Sequence, residues 1–280
     1  MSAPLVSAIT VFLDEERFLE DAIESVIAQQ YEDWELLLVD DGSTDRGTEI
    51  ARRHASEHGR IRYFDHARHE NRGMSVSRNL ALEHAVGEYV AFIDADDVWY
   101  PDTLTRQVAL LERQREAALA YGTALWWRSW AGADAGDSCD VVAARVPDRD
   151  GPIDPPDFAT LIVRDGAAVP CPCTVIVRTH ALRGVGGFED SFRGLYEDQV
   201  LYAKIGLEWP VVLTSDCLGR YRQHEGQCCV RAAREGTVGS SHARFLAWLG
   251  DYARRRCIAG DSSFWNALHD AQASYGLELA

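Results

Sequence analysis

Over roughly its first 130 residues the sequence alternates short apolar runs with stretches of helical periodicity, the signature of βαβ units around a mostly parallel sheet. Apolar runs at 5–12, 35–39, 61–64 and 88–93 read as strands. The segment 15–30 reads as a helix with Phe18, Ala22, Ile23, Val26 and Ile27 on one face. A second helix runs to about His58 with Ser43 or Thr44 as its cap, a third covers 73–86, and a fourth runs from Pro101 to about Glu116. Further on the pattern loosens. Strands are expected at 119–130, 174–177, 211–214 and 217–221, and helices at 158–163 and 196–206. A Gly-, Asp- and Pro-rich excursion fills 131–156, and the tail is helical from about Ser240. At 280 residues the economical reading is one domain with a helical appendage.

Charge narrows the function. Lys+Arg number 28 against 44 Asp+Glu, a net charge of -16, so the chain repels a phosphate backbone and nucleic acid is not an expected partner. An anionic substrate would need a local remedy, such as a metal ion or a few placed arginines. Lys204 is the only lysine. The seven cysteines include no CxxC pair, which argues against a zinc cage or disulfide framework and for reduced thiols in a cytoplasmic protein. No apolar stretch approaches the ~20 residues of a membrane span, and the start of the chain does not read as a signal peptide.

Two acidic clusters carry the chemistry. Asp40-Asp41 and Asp94-Ala95-Asp96-Asp97 each follow an almost wholly apolar strand, and ligands of open parallel sheets sit at such carboxyl ends. Alone, either is most simply a solvated turn; together they face one crevice. In extended backbone Asp94 and Asp96 face one side while Asp97 turns away. Two hard carboxylates suit Mg²⁺ or Mn²⁺, which also bind phosphate oxygens and so offer the remedy the charge requires.

Several segments in order then resemble the inverting glycosyltransferases of family 2. They are the opening 7–30, Leu37-Leu38-Val39-Asp40-Asp41-Gly42-Ser43-Thr44-Asp45, Asn71-Arg72-Gly73 with Ser77-Arg78-Asn79, and the DxD region 87–97. Gly186-Gly187-Phe188, Glu197-Asp198 and Arg222-Gln223-His224 complete the series, so the resemblance covers about residues 4–226. It implies a GT-A fold: a Rossmann-like, mostly parallel central sheet flanked by helices. Residues 1–230 would be the catalytic domain, with about 1–118 binding the nucleotide-sugar and about 119–230 the acceptor. Residues 231–280 would be a helical C-terminal extension. It also implies roles. Asp41 would meet the nucleotide base with Asp40 or Asp14 nearby, and Arg78 would offset nucleotide charge. Asp94 would lie near the ribose or metal, Asp96 would ligate Mn²⁺ or Mg²⁺, and His224 would complete that site. Asp198 would be the general base, supported by Glu197. Gly187, Phe188, Trp126 and Trp127 would line the acceptor. The implied partners are a nucleoside-diphosphate sugar (UDP- or dTDP-linked favoured) and an acceptor hydroxyl on a glycan, a lipid-linked sugar or a small natural product.

Other readings stand beside these. Glu197-Asp198 also suits a helix N-terminus electrostatically. His224 fits a surface position, and His54, His58, His66 and His69 read as solvated. Trp126, Trp127 and Trp130 serve equally as a sugar platform or as packing. Phe245, Trp248, Leu249 and Tyr252, followed by Arg254-Arg255-Arg256, fit a helix packed on its own domain, a homodimer contact, or a peripheral membrane helix. The competing functions are a non-catalytic nucleotide-sugar-binding protein of the same fold and a sugar nucleotidyltransferase. Leu13-Asp14-Glu15-Glu16 opposes the latter, standing where a glycine-rich phosphate loop is needed.

Overall fold

The apolar runs become strands whose alternate side chains feed two separate cores. In a computed structural model, which describes residues 5–135, 139–143, 150–164, 169–260 and 262–276, β1 (Val6–Phe12) pairs in parallel with β2 (Trp34–Asp40). β3 (Ile61–Asp65) continues the sheet beyond β2, and β4 (Tyr89–Phe92) flanks β1 on its other side, both in parallel. Helices α1 (Leu19–Ile27), α2 (Gly47–Glu57) and α3 (Met74–His84) connect these strands. Then follow β5 (Val98–Trp99), α4 (Thr103–Arg113), β6 (Leu119–Trp127), β7 (Val141–Val142), β8 (Gly151–Ile153) and α5 (Asp157–Arg164). The remainder comprises β9 (Val175–Arg178), α6 (Thr179–Gly184), α7 (Glu197–Glu208), β10 (Val211–Arg222), α8 (Cys228–Glu235), α9 (Val238–Arg255) and α10 (Ser263–Ala273). Of the excursion expected at 131–156, residues 136–138 and 144–149 lie outside the described residues, and the rest carries the two short strands β7 and β8.

The sheet order is β3-β2-β1-β4-β9-β6-β10-β5, with β7 on β6 and β8 on β10. The alternation of the first half thus yields the parallel block, and β6 and β10 resume its direction. β9 is antiparallel to both its neighbours, β4 and β6. Strand direction is decided by which neighbour supplies the hydrogen bonds, and a four-residue apolar run carries no record of that. Arg178 at the end of β9 secures it, donating to Ala117 O at 3.0 Å, Leu111 O at 2.8 Å and Tyr89 OH at 3.1 Å. The two short strands expected at 211–214 and 217–221 are one strand, β10, kinked where its register against β6 shifts between Leu213 and Gly219. Gly122 of β6 makes room for that kink, since a Cβ there would stand 2.5 Å from Asp216 O.

Ile9, Leu37, Val39, Val90 and Phe92 face one core, closed by α3, α5, α6, α7, α9 and α10. Their strand neighbours Ala8, Leu36, Leu38, Tyr89 and Ala91 face the other, closed by α1, α2 and α4. The period-two alternation of a strand therefore builds three layers. The C-terminal helices belong to the first core: Phe245, Leu249, Tyr252, Phe264 and Leu268 are buried in it. Of the readings of the α9 stripe, packing on its own domain is what the structure has. Trp248 stacks on Tyr252 and meets Phe192 edge-on, Arg254 pairs with Asp251, and Arg256 pairs with Glu208. Neither membrane nor homodimer contact is needed to cover it. Among the described residues no helix is long and apolar enough to cross a membrane.

Candidate active site

The loops after β1, β2 and β4 meet at the carboxyl end of the parallel block, and each acidic cluster has a different fate there. Asp40 is fully buried, and its own loop uses it. Oδ1 accepts from the N–H groups of Gly42 at 3.2 Å and Ser43 at 2.8 Å, and Oδ2 from Thr48 Oγ1 and from Tyr63 OH at 3.2 Å. Expected beside a base, Asp40 instead closes a turn, because its strand leaves it pointing back at the start of α2. Ser43 and Thr44 do not cap that helix. They reach across to the β1 loop, where Ser43 Oγ accepts the Asp14 N–H at 3.1 Å and Thr44 donates to Asp14 Oδ1 from both N–H (2.6 Å) and hydroxyl (3.1 Å). Asp14, in left-handed backbone at φ 55, therefore joins two loops.

Asp41 is the acceptor of the next segment. Arg72 N at 2.8 Å, Gly73 N at 3.0 Å and Ser77 Oγ at 2.9 Å all donate to it, which explains why Asn71-Arg72-Gly73 and Ser77 accompany it. His66 lies 2.7 Å from Ser77 Oγ and 3.6 Å from Asp41. His54 is buried against Glu20 at 3.0 Å, and His69 lies 2.8 Å from Ser43 O. His54 and His66, read as solvated, are instead folded inward, and His69 is partly covered, by loops whose course is a tertiary matter.

In the DxD loop Asp96 Oδ2 lies 2.8 Å from His224 Nε2, across 128 positions of sequence. A carboxylate and an imidazole at that distance, both largely shielded from water, fit a Mn²⁺ or Mg²⁺ ion whose other positions a diphosphate would fill. Asp97 turns inward as expected, accepting the Arg222 N–H at 3.0 Å. Arg222 organises this corner. Its Nε donates to Asp96 O at 2.7 Å and its Nη2 to Asp21 at 2.8 Å, while the guanidinium lies 4.5 Å from the ring centroids of both Phe18 and Trp127. Glu15, not singled out in the sequence, faces the same corner. Its pKa is pushed up to about 7, chiefly by burial and next by the Asp96 charge, with His224 opposing. The run Asp14-Glu15-Glu16 after β1 was its signal.

Arg78, almost wholly buried on α3, joins the two halves. It donates to Asp94 Oδ1 at 2.8 Å and stands 3.6 Å from Glu197 Oε1, at the start of α7. Burial pushes the Glu197 pKa up to about 8, with Asp198 adding to the rise and Arg78 opposing it. Asp198 is also raised by burial, against Arg78 and the Gln199 N–H 2.7 Å away. Phe188, expected at the acceptor, is buried, edge-on to Phe92 and 5.2 Å below the Arg78 guanidinium. Gly187 is likewise a packing position: a Cβ there would stand 2.6 Å from Asn79 Oδ1. The lone lysine serves this turn, as Lys204 Nζ donates to Gly187 O at 2.7 Å and Glu189 Oε1 at 2.8 Å. Trp127 and Trp130 hold Arg222, whereas Trp126 is 42% exposed, with the Arg128 guanidinium 5.7 Å from its ring centroid.

Residues 7–124 match the family described as Glycosyl transferase family 2. Two curated relatives come from Bacillus subtilis (strain 168). EpsE, a proposed glycosyltransferase, is 41% identical over 115 residues, which is 41% of this chain and 41% of EpsE. TuaG, a proposed teichuronic acid biosynthesis glycosyltransferase, is 39% identical over 120 residues, covering 42% of this chain and 46% of TuaG. The chain thus matches less than half the length of either relative. Solved structures extend the likeness to nearly all of it. S. aureus TarS 1-349 in complex with UDP-GlcNAc superposes with a TM-score of 0.68 at 18% identity, over 97% of this chain and 71% of that one. The mannosyltransferase PcManGT from Pyrobaculum calidifontis, in complex with GDP-Man and Mn2+, gives 0.63 at 21%, over 97% and 70%. At such identities the likeness is one of fold, and that fold is GT-A.

Proposed function

We propose, from the match of residues 7–124 to Glycosyl transferase family 2, an inverting, metal-dependent transfer of a sugar from a nucleoside diphosphate to an acceptor hydroxyl. The observation that carries the proposal is Arg78. One guanidinium contacts Asp94 of the donor-side loop and Glu197 beside Asp198, so the donor site and the base are built as one unit.

In this reading Asp41, with Asp14 at the neighbouring loop, borders the base, and Arg78 offsets the charge of the nucleotide. Asp96 and His224 would hold Mn²⁺ or Mg²⁺ beneath the diphosphate, with Asp94 alongside. Such an ion supplies stabilisation of the charge that grows on the leaving group. The acceptor oxygen attacks the anomeric carbon from the face opposite the diphosphate, and Asp198 takes its proton as the new bond forms. Burial raises the Asp198 pKa, which favours it as a base, while the Arg78 charge opposes the rise. A single displacement needs one base and inverts the centre. The exposed Trp126 would contact an acceptor sugar ring, on a glycan, a lipid-linked sugar or a small natural product. UDP- and dTDP-sugars are the favoured donors, and GDP-sugars belong in the screen.

Calorimetric titration with UDP, dTDP and GDP, each with Mn²⁺ and with EDTA, names the donor class. Asp198→Asn should then lower turnover by about 10²–10⁴-fold while nucleotide affinity stays within a factor of about two. Transfer at the parental rate refutes the base assignment. Nucleotide binding without turnover in the unaltered protein, against every acceptor class above, would favour the non-catalytic binder.

A further inference from the structure

At the end of the DxD loop lies a second set of donor atoms that the transfer reaction does not use. Asp97 is fully buried, as is Cys173, and Cys171 is half-buried. One carboxylate oxygen of Asp97 and the two Sγ atoms all lie within 4.8 Å of one another, and the sulfurs are 3.3 Å apart. Asp97 Oδ1 is satisfied by the Arg222 N–H, but Oδ2 accepts no hydrogen bond from any described nitrogen or oxygen donor, and the two thiols stand beside this carboxylate. Thiols are weak donors, so a buried carboxylate oxygen left to them is under-solvated.

The backbone around the pair is held from both sides. Trp99 Nε1 donates to Cys173 O at 2.7 Å, and Thr174 donates to Cys171 O from both its N–H and its hydroxyl, each at 2.9 Å. Cys171 thus precedes, and Cys173 lies within, the 3-10 turn Pro172–Thr174 that leads into β9, and Asp97 approaches from the end of the DxD loop.

We propose that Asp97, Cys171 and Cys173 form a binding site for a thiophilic divalent cation, of which Zn²⁺ is the type, that ties the DxD loop to the start of β9. Two thiolates and a carboxylate suit a borderline-soft ion, and they supply three of the four positions that Zn²⁺ takes. Carboxylate, imidazole and phosphate oxygen at Asp96 and His224 suit a harder one, so donor chemistry keeps the two sites distinct. Binding releases the protons that the ligands carry, leaving a Zn²⁺ site of charge −1. The Arg222 guanidinium, bonded to the adjacent Asp96 carbonyl, stands nearby to offset it. Cys171, the least buried of the three, marks the side of approach. The proposal does not depend on the transferase reading.

Metal content and Co²⁺ substitution test it on the full chain under reducing conditions. About one Zn²⁺ per chain is expected, exchangeable for Co²⁺ with the appearance of thiolate-to-cobalt charge-transfer absorption. Asp96→Ala should retain that ion and that absorption. Cys171→Ser with Cys173→Ser should abolish the absorption and weaken Zn²⁺ binding by at least about a hundredfold, more than the loss of an outer-shell partner costs. Should that double variant not fold, the spectrum of the unaltered protein decides alone. Absence of the charge-transfer band on Co²⁺ addition, Zn²⁺ binding that survives loss of both thiols, or a Cys171–Cys173 disulfide persisting under reductant would each overturn the assignment.

Discussion

Replacing Arg78 with methionine removes a buried cation that faces Asp94, Glu197 and Asp198, and the consequences can be worked from the geometry. Arg78→Met keeps much of the side-chain volume against Phe188 and Phe92 but breaks the 2.8 Å pair with Asp94 and the 3.6 Å approach to Glu197. Removing one partner of a buried pair costs about 3–5 kcal/mol. At roughly 2–4 °C per kcal/mol for a chain of this size, Tm should fall by roughly 6–20 °C near neutral pH. The loss should depend on pH, and its sign is determined. Glu197 titrates near about 8 in the folded chain against 4.5 ordinarily. A group so raised contributes stability below pH 4.5 and loses it as pH climbs toward 8. Arg78 limits that loss, since it pulls Glu197, Asp198 and Asp94 downward. Without it all three rise further, so the deficit of the variant should be largest near pH 8 and smaller near pH 4.5. Thermal unfolding by circular dichroism at the two pH values measures this directly. An equal deficit at both, or a larger one in acid, refutes the electrostatic account.

Three further outcomes follow from single contacts. Lys204→Met leaves Gly187 O and Glu189 without their buried donor and should cost about 1–3 kcal/mol, read as a lower urea midpoint; an unchanged midpoint would mean that the turn is held elsewhere. Gly122→Ala drives a Cβ toward Asp216 O and should destabilise by about 1–3 kcal/mol, and a variant as stable as the parent would show that the kink in β10 yields freely. His224→Ala should weaken Mn²⁺-dependent nucleotide binding by at least about tenfold and leave binding in EDTA unaltered, as calorimetry would show; equal affinity with Mn²⁺ removes His224 from the ligand set.

Much of the site was legible because carboxylates at strand ends are a local signal. An apolar run that stops at Asp94 and Asp96 specifies both a strand and the place where it opens, whatever lies across the sheet. The same local reading placed Asp198 at the first turn of α7. It failed where a residue's surroundings come from distant chain. Asp40 and Asp41 are adjacent and chemically identical, yet one closes its own turn while the other receives the amides of residues 72 and 73. Phe188 looked like an acceptor contact but lies beneath Arg78, and Glu15, not singled out in the sequence, feels the Asp96 charge.

By itself the sequence determined the βαβ half, the positions of the acidic clusters and the amphipathic helices, all of which follow from periodicities of two and 3.6 within a few neighbouring residues. Only the tertiary structure decided that β9 runs against its neighbours, that α9 covers its own core, and that Asp96 meets His224 while Arg78 bridges Asp94 to Glu197. Those facts are pairings across 16 to 128 positions, and a pairing at that range is selected by the packing of the whole sheet, not by the residues beside either partner.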